Sequence, residues 1–174
     1  SGKTTLARII ANSGDFEYRE ISAVTTGLAD VRKVIIEAKA SMNAGNRTVL
    51  FVDEIHRFNK SQQDAFLPHI EDGTIILIGA TTENPSFEVI GPLLSRTKVV
   101  VLEALSKDDI VTIIKRAEGS LNNKKINPDA VELLAELSGG DARVALNGLE
   151  TSVAISGNTI TTEVIKQAVQ KTGL

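Results

Sequence analysis

Short apolar runs rich in β-branched residues recur at residues 18–21, 48–52, 75–78 and 99–102, with helical stretches between them. That alternation predicts a parallel sheet covered by helices, an α/β unit. The clearest intervening helix spans 28–42, where Val31, Val34, Ile35, Ala38 and Met42 fall on one face before Gly45 and Asn46 stop it. An apolar stretch at 6–11 predicts another. Beyond Leu105 the strand-like runs give out and helix start signals take over. Ser106 and Asp109 form a capping box with Asp in place of Glu, ahead of the stripe Ile110, Ile113, Ile114, Ala117 and Leu121. Asn127 before Pro128 reads as an N-cap with proline at the first helical position. Gly139 and Gly140 end that helix, Asp141 caps the next, and a last helix starts near Thr161. The expected division is an α/β core over 1–104 and a small all-helical domain over 105–174.

Composition narrows the chemistry. With 42% hydrophobic and 24% charged residues, the 174-residue chain has the make-up of a folded core, with or without a small satellite. No apolar run is long enough to span a bilayer and no signal-like segment opens the chain, so the expected location is cytosolic or nuclear. Zero cysteines exclude a disulfide framework and a thiolate zinc site, and two isolated histidines make no metal cluster. Any metal is therefore a hard ion held by oxygen. A net charge of -3 offers no global pull on nucleic acid, so a DNA contact would need a local patch or an oligomeric channel.

The candidate chemistry begins at the first residue. Ser1-Gly2-Lys3-Thr4 reads as the end of a P-loop, G-x-x-x-x-G-K-[ST], with the helix at 6–11 behind it, and the upstream glycine is not in the sequence. Alone, this motif is a common helix start. Val49 to Val52 followed by Asp53 and Glu54 is a strand apolar enough to be buried on both faces, ending in two carboxylates where ligands bind in open α/β sheets. This is the Walker B arrangement: Asp53 suits Mg²⁺, and Glu54 suits orienting the attacking water. After the strand at 75–78 comes Thr81-Thr82-Glu83-Asn84-Pro85, where Thr82 is the best candidate to hold the lytic water or the γ-phosphate, although a hydroxyl there, taken alone, more often satisfies a turn before proline. Arg96 and Arg143 each stand near an element boundary, and a guanidinium suits developing phosphate charge. His56 reads as structural or relaying rather than metal-binding, and His69 as a partly buried helix residue. Arg57 and Lys60 are candidates for a DNA backbone, although such a basic loop is more often simply solvated. Ser22 is a turn residue that could also reach Glu54.

Taken together, SGKTT, LFVDEIHRFNKSQQDAFLPHIEDGTI, LIGATTENPSFE, LLSR and GGDAR resemble, over essentially the whole chain, the RarA/MgsA family of AAA+ ATPases. The Werner-helicase-interacting proteins are its eukaryotic relatives. The resemblance implies an ATP- and Mg²⁺-dependent ATPase that forms a homo-oligomer, acts at stalled or gapped replication forks, and associates with DNA ends and single-strand-binding protein, not with a membrane. It would work in the cytoplasm with the nucleoid in a bacterium, or in the nucleus of a eukaryote. It implies that Ser1, Gly2, Lys3, Thr4 and Thr5 hold the phosphates, that Thr4 and Asp53 bind Mg²⁺, and that Glu54 is the catalytic carboxylate. Thr82 would be sensor 1, Arg96 an arginine finger acting on the neighbouring subunit, and Arg143 the sensor 2 arginine.

The sheet order implied by the resemblance is five-one-four-three-two, and strand one is absent from this sequence. A gap is therefore expected between 75–78 and 99–102, and the chain alone is expected to fold poorly. The alternatives are a clamp-loader-like or branch-migration subunit, a non-catalytic assembly subunit, and a small-molecule P-loop kinase. The intact Lys3, Asp53, Glu54 and Arg96 argue against the non-catalytic one.

Overall fold

The computed structural model describes residues 2–120 and 124–172, so Ser1 and Leu121 lie outside the described residues. The chain divides into two compact units, Gly2–Val101 and the remainder from Leu102 onwards. In the first, α1 (Lys3–Ser13) precedes β1 (Glu17–Ser22), α2 (Leu28–Asn43) and β2 (Thr48–Asp53). A short 3-10 turn at Ile55–Arg57 leads into α3 (Lys60–Asp64), α4 (Leu67–Glu71), β3 (Ile75–Gly79), α5 (Pro85–Glu88) and α6 (Gly91–Leu94).

The sheet is parallel throughout, in the order β1-β2-β3, with Glu17 opposite Thr48 and Thr48 opposite Ile75. Val49, Leu50, Phe51 and Val52 of the central strand are all 0% exposed, as a parallel strand covered on both faces requires. Side chains alternate between faces along a strand. Leu50 and Val52 join Val31, Ile35 and Ala38 of α2, together with Phe58, Phe66 and Leu93. Phe51 packs instead with Ala7 of α1 and with Ala80. The two long helices thus cover opposite faces of β2.

Residues 99–102 are not a strand, contrary to expectation. Among the described residues they pair with no ladder, and Val99, Val100, Val101 and Leu102 are 52%, 68%, 80% and 42% exposed. An apolar, β-branched segment becomes a strand only when a neighbour supplies N–H and C=O partners. Among the described residues none lies beside 99–102 in a ladder to supply them.

The second unit contains α7 (Lys107–Ala117), β4 (Lys125–Ile126), α8 (Pro128–Leu137), α9 (Ala142–Ile155), β5 (Thr159–Ile160) and α10 (Thr162–Thr172). Its core is built from Ile110, Ile114, Leu134, Leu149, Ile160 and Ile165. The capping box is present as read: Ser106 Oγ accepts the Asp109 N–H at 3.2 Å and Asp109 Oδ2 accepts the Ser106 N–H at 3.0 Å. Asn127 stands at the start of α8, but its side chain makes no cap bond. Its N–H goes to the Ile160 carbonyl at 3.0 Å, which extends the parallel pair β4-β5. The unit is therefore not purely helical as expected; runs of two paired residues leave no period in the sequence to reveal them. Gly140, at φ +80°, accepts the Leu105 N–H at 3.1 Å, and a Cβ there would lie 2.6 Å from the Leu105 carbonyl oxygen. Only glycine fits that turn. Among the described residues no helix is long and apolar enough to cross a membrane.

Candidate active site

Gly2 adopts φ 90° and ψ -3°, a left-handed conformation that glycine enters without steric cost, and it starts α1 with no side-chain cap. The first turn carries no acidic residue. Free N–H groups and the positive end of the dipole at a helix start favour an anion, and here Lys3 and Thr4 are half-buried in the first turn while Thr5 is exposed. Ala7 lies one turn further on, packed with Phe51 and with Ala80 just after β3, so α1 begins at the carboxyl edge of the sheet.

That edge is stitched by backbone bonds. The Asp53 carbonyl accepts the Ala23 N–H, the Val52 carbonyl accepts the Ala80 N–H, and the Ala80 carbonyl accepts the Ile55 N–H, each at 2.9 Å. Glu54 sits between these ties at φ 53° and ψ 43°, a left-handed conformation uncommon for a non-glycine residue. The turn aims its side chain toward the loop after β3, where the Thr82 hydroxyl donates to Glu54 Oε2 over a long 3.4 Å. His56 Nε2 lies 3.4 Å from the same oxygen, and its Nδ1 is 2.9 Å from Thr81 Oγ1. Thr81 Oγ1 also accepts the Glu83 N–H at 3.0 Å.

Of the residues read from the sequence, Asp53, Glu54 and Thr82 are thus gathered at the carboxyl edge where α1 begins. Arg96 is engaged elsewhere: its Nε and Nη2 reach Glu71 Oε1 at 2.8 and 2.6 Å, and Nη1 donates to the Pro92 carbonyl at 3.0 Å. Arg143 is an exposed residue in the first turn of α9, in the other unit. The Asp141 carboxylate caps that helix, accepting the Arg143 and Val144 N–H groups at 2.8 and 3.3 Å. Burial works to raise the Asp141 pKa, but these two N–H bonds outweigh it and hold the group below the ordinary carboxylate value. Ser22 takes the turn role, its hydroxyl accepting the Val24 N–H at 3.4 Å. His69 is partly buried, with Nδ1 3.8 Å from Asp72. Arg57 and Lys60 are exposed.

Gln63 carries no motif signal, yet it is 2% exposed and fully engaged. Its amide nitrogen donates to the Phe58 and Glu88 carbonyls and its oxygen accepts the Ile90 N–H, all at 3.0 Å. It bolts the segment after Glu54 to the segment that carries α6 and Arg96. A buried side-chain amide in an amphipathic stretch would have been the only hint.

The donor set fits a nucleotide-bound Mg²⁺ better than a protein-caged ion. Among the described residues no group of three His, Cys, Asp or Glu side chains could hold a metal. Neither the Lys3 ammonium nor the Asp53 carboxylate is engaged there by a side-chain hydrogen bond or ion pair. One carboxylate and one hydroxyl, completed by phosphate oxygens and water, is the set this ion takes in phosphoryl-transfer sites.

Residues 1–104 match the family described as "ATPase family associated with various cellular activities (AAA)", and residues 119–174 match the "AAA C-terminal domain". The chain belongs to the AAA family of ATPases. Within it, this AAA chain is 54% identical over 156 residues to Replication-associated recombination protein A of Escherichia coli (strain K12), covering 86% of this chain and 35% of that protein. It is 49% identical to ATPase WRNIP1 of Dictyostelium discoideum, covering 87% of this chain and 18% of that protein. The resemblance read from the motifs is borne out. Among solved structures, the Thermotoga maritima RuvB Holliday junction branch migration motor matches with TM-score 0.76 and 30% identity, over 98% of this chain and 58% of that one. The AAA chain spans about a third of the bacterial relative's length.

Proposed function

We propose that this chain is the ATPase core of a protein that hydrolyses ATP to ADP and phosphate and uses the energy on DNA at stalled replication forks, in recombination and repair. The observation that carries the reading is the meeting of Glu54 and Thr82 at the sheet edge where the Gly2-Lys3-Thr4 helix begins. The 54% identity to Replication-associated recombination protein A supports the DNA part. In this reading Lys3 and the N–H groups of Gly2 to Thr5, with Ser1 ahead of them, bind the phosphates. Thr4 and Asp53 would hold Mg²⁺, which neutralises phosphate charge when bound. Glu54 accepts a hydrogen bond from the attacking water, whose oxygen bonds the γ-phosphorus as the bond to the bridging oxygen breaks, leaving the electron pair on ADP. Thr82 fixes the Glu54 carboxylate and senses the γ-phosphate. Arg96 is assigned to the nucleotide of a neighbouring subunit of a homo-oligomer, for which it must exchange Glu71 for phosphate. Arg143 takes the sensor 2 role.

Single-strand-binding protein and forked, gapped or single-stranded DNA ends are the proposed partners, met in the bacterial cytoplasm with the nucleoid or in a eukaryotic nucleus. The likeness to RuvB favours branch migration as the second reading. Steady-state ATP turnover by the intact protein, without DNA and with forked, linear or four-way-junction DNA, tests both. Stimulation by forks or strand ends supports the first reading. Stimulation by four-way junctions alone supports the second, and no turnover removes both.

A further inference from the structure

We propose that His56, oriented by Thr81, is a positioning residue for Glu54: it anchors one carboxylate oxygen so that the other is presented to the attacking water. This rests on the ATPase reading and adds a residue to it.

The orientation of the ring follows from which atoms can donate. An ionised carboxylate only accepts, so the imidazole nitrogen facing Glu54 Oε2 at 3.4 Å is the one that carries the proton. In the neutral ring Nδ1 then holds a lone pair, and it meets the Thr81 hydroxyl at 2.9 Å. The Thr81 oxygen already accepts the Glu83 N–H at 3.0 Å, which leaves its proton to point at His56. Every donor in this relay faces the same way, from the Glu83 backbone through Thr81 and His56 to Glu54, the arrangement in which hydrogen bonds strengthen one another.

Burial gives the relay its stiffness. The His56 side chain is 8% exposed and that of Glu54 28%, so the ring is fixed by its surroundings while the carboxylate still meets solvent. The Thr82 hydroxyl reaches Oε2 as well, so both partners converge on one oxygen. Among the described residues Oε1 takes no hydrogen bond. A histidine that merely filled a gap would have no reason to end on a carboxylate whose own backbone is held in the left-handed region. The 3.4 Å approach is longer than a formed hydrogen bond, as contacts of this kind are before a Michaelis complex tightens them. Because Thr81 and Thr82 are adjacent on the loop after β3, a shift of that loop moves both hands that hold Glu54.

The test uses turnover and ATP affinity of the intact protein in the absence of DNA, for His56→Asn, His56→Gln, Thr81→Val, Thr81→Ser and the His56→Asn/Thr81→Val pair. The glutamine amide reaches about as far as Nε2, whereas the asparagine amide stops near Nδ1. We expect His56→Asn to lower kcat by about 10- to 100-fold, the loss that small misplacement of a reacting group brings, with ATP affinity within about twofold of wild type. His56→Gln should recover most of the loss. Thr81→Val should lower kcat by a smaller factor, Thr81→Ser should restore it, and the pair should be no slower than His56→Asn alone.

Equal losses for His56→Asn and His56→Gln, unchanged kcat in both, multiplicative losses in the pair, or losses confined to ATP affinity would each overturn the proposal. Should the His56 variants not fold, the Thr81→Val and Thr81→Ser contrast decides alone: recovery by serine supports the relay and equal loss refutes it. A wild-type protein without turnover removes the ATPase reading and this proposal together, whereas an active wild type with unaffected variants removes only this proposal.

Discussion

In the unit from Leu102 onwards polar side chains close on their sequence neighbours, whereas at the edge of the α/β sheet they reach across the chain. Ser106 with Asp109, Asp141 with Arg143, Ser138 with Ala135 and Ser152 with Gly148 are two to four residues apart. Among the described residues, Lys124, whose ammonium bonds the Val153 and Ser156 carbonyls near the end of α9, and Lys107, which pairs with Glu132 at the surface, are the exceptions that reach far. By contrast, Glu54 with Thr82, His56 with Thr81, Gln63 with Glu88 and Ile90, and Arg96 with Glu71 are 25 to 28 residues apart. Local bonds stabilise the helix that makes them. Bonds across the chain tie loops together, so that a change at one is felt at the other, which is what a site that must respond to a bound phosphate requires.

The comparison breaks first at Glu54. Glu54→Gln in the intact protein should leave ATP binding in place and lower hydrolysis by about 10²- to 10⁴-fold, read by steady-state turnover beside nucleotide titration. Unchanged turnover would take Glu54 out of the reaction. The next effect lies in the helical core: Leu134→Ala, at 1% exposure, should cost about 2–5 kcal/mol in denaturant unfolding with little change in the chemical step. A large loss of turnover at wild-type stability would dissolve the distinction between the two regions.

Gln63→Leu sharpens the contrast because it keeps the bulk and removes the bonds. It leaves the Phe58 and Glu88 carbonyls and the Ile90 N–H without their partner, at about 1–3 kcal/mol for each group that stays buried. Stability and turnover should fall together, and a loss of stability alone would mean that the clamp does not reach the site. Asp141→Ala removes a helix cap and should cost about 0.5–2 kcal/mol in the same unfolding measurement.

The smallest effect is on pH dependence. Hydrogen bonds from Ser106 hold Asp109 below the ordinary carboxylate value, and Asp141 is likewise lowered. Their stabilisation is therefore complete above about pH 4 and is lost as the pH falls through the lower folded values, where the native state must take up protons. Asp109→Asn with Asp141→Asn should flatten the acid side of the stability curve. If that side keeps its slope, the caps are not its source.

What was legible in the sequence follows the same division. The core face of α2 from Val31 to Ala38, the burial of β2, the capping box at Ser106 and the cap at Asp141 all come from spacings within one element and lie where the pattern put them, whereas Met42, expected on the same face of α2, is 44% exposed near the end of the helix. Residues 99–102 were misread because being a strand depends on a neighbour, which no local pattern records. Gln63 and Glu71 match no motif, since a polar residue on a short helix looks the same whether or not its partner lies 25 residues away. Thr82 was picked out by its position after a strand, but Thr81 and its hold on His56 became visible only once the loop after β3 was seen beside β2.

The backbone at Glu54 has a consequence for how this protein can change. A left-handed residue with a side chain is less stable there than glycine by about 1 kcal/mol, so selection for robustness alone would drift this position toward glycine. A library sorted for heat resistance should therefore enrich Glu54→Gly while one sorted for turnover rejects it. The two sorts pull in opposite directions at a single codon, and that opposition marks the position as kept for what it does rather than for how well it folds.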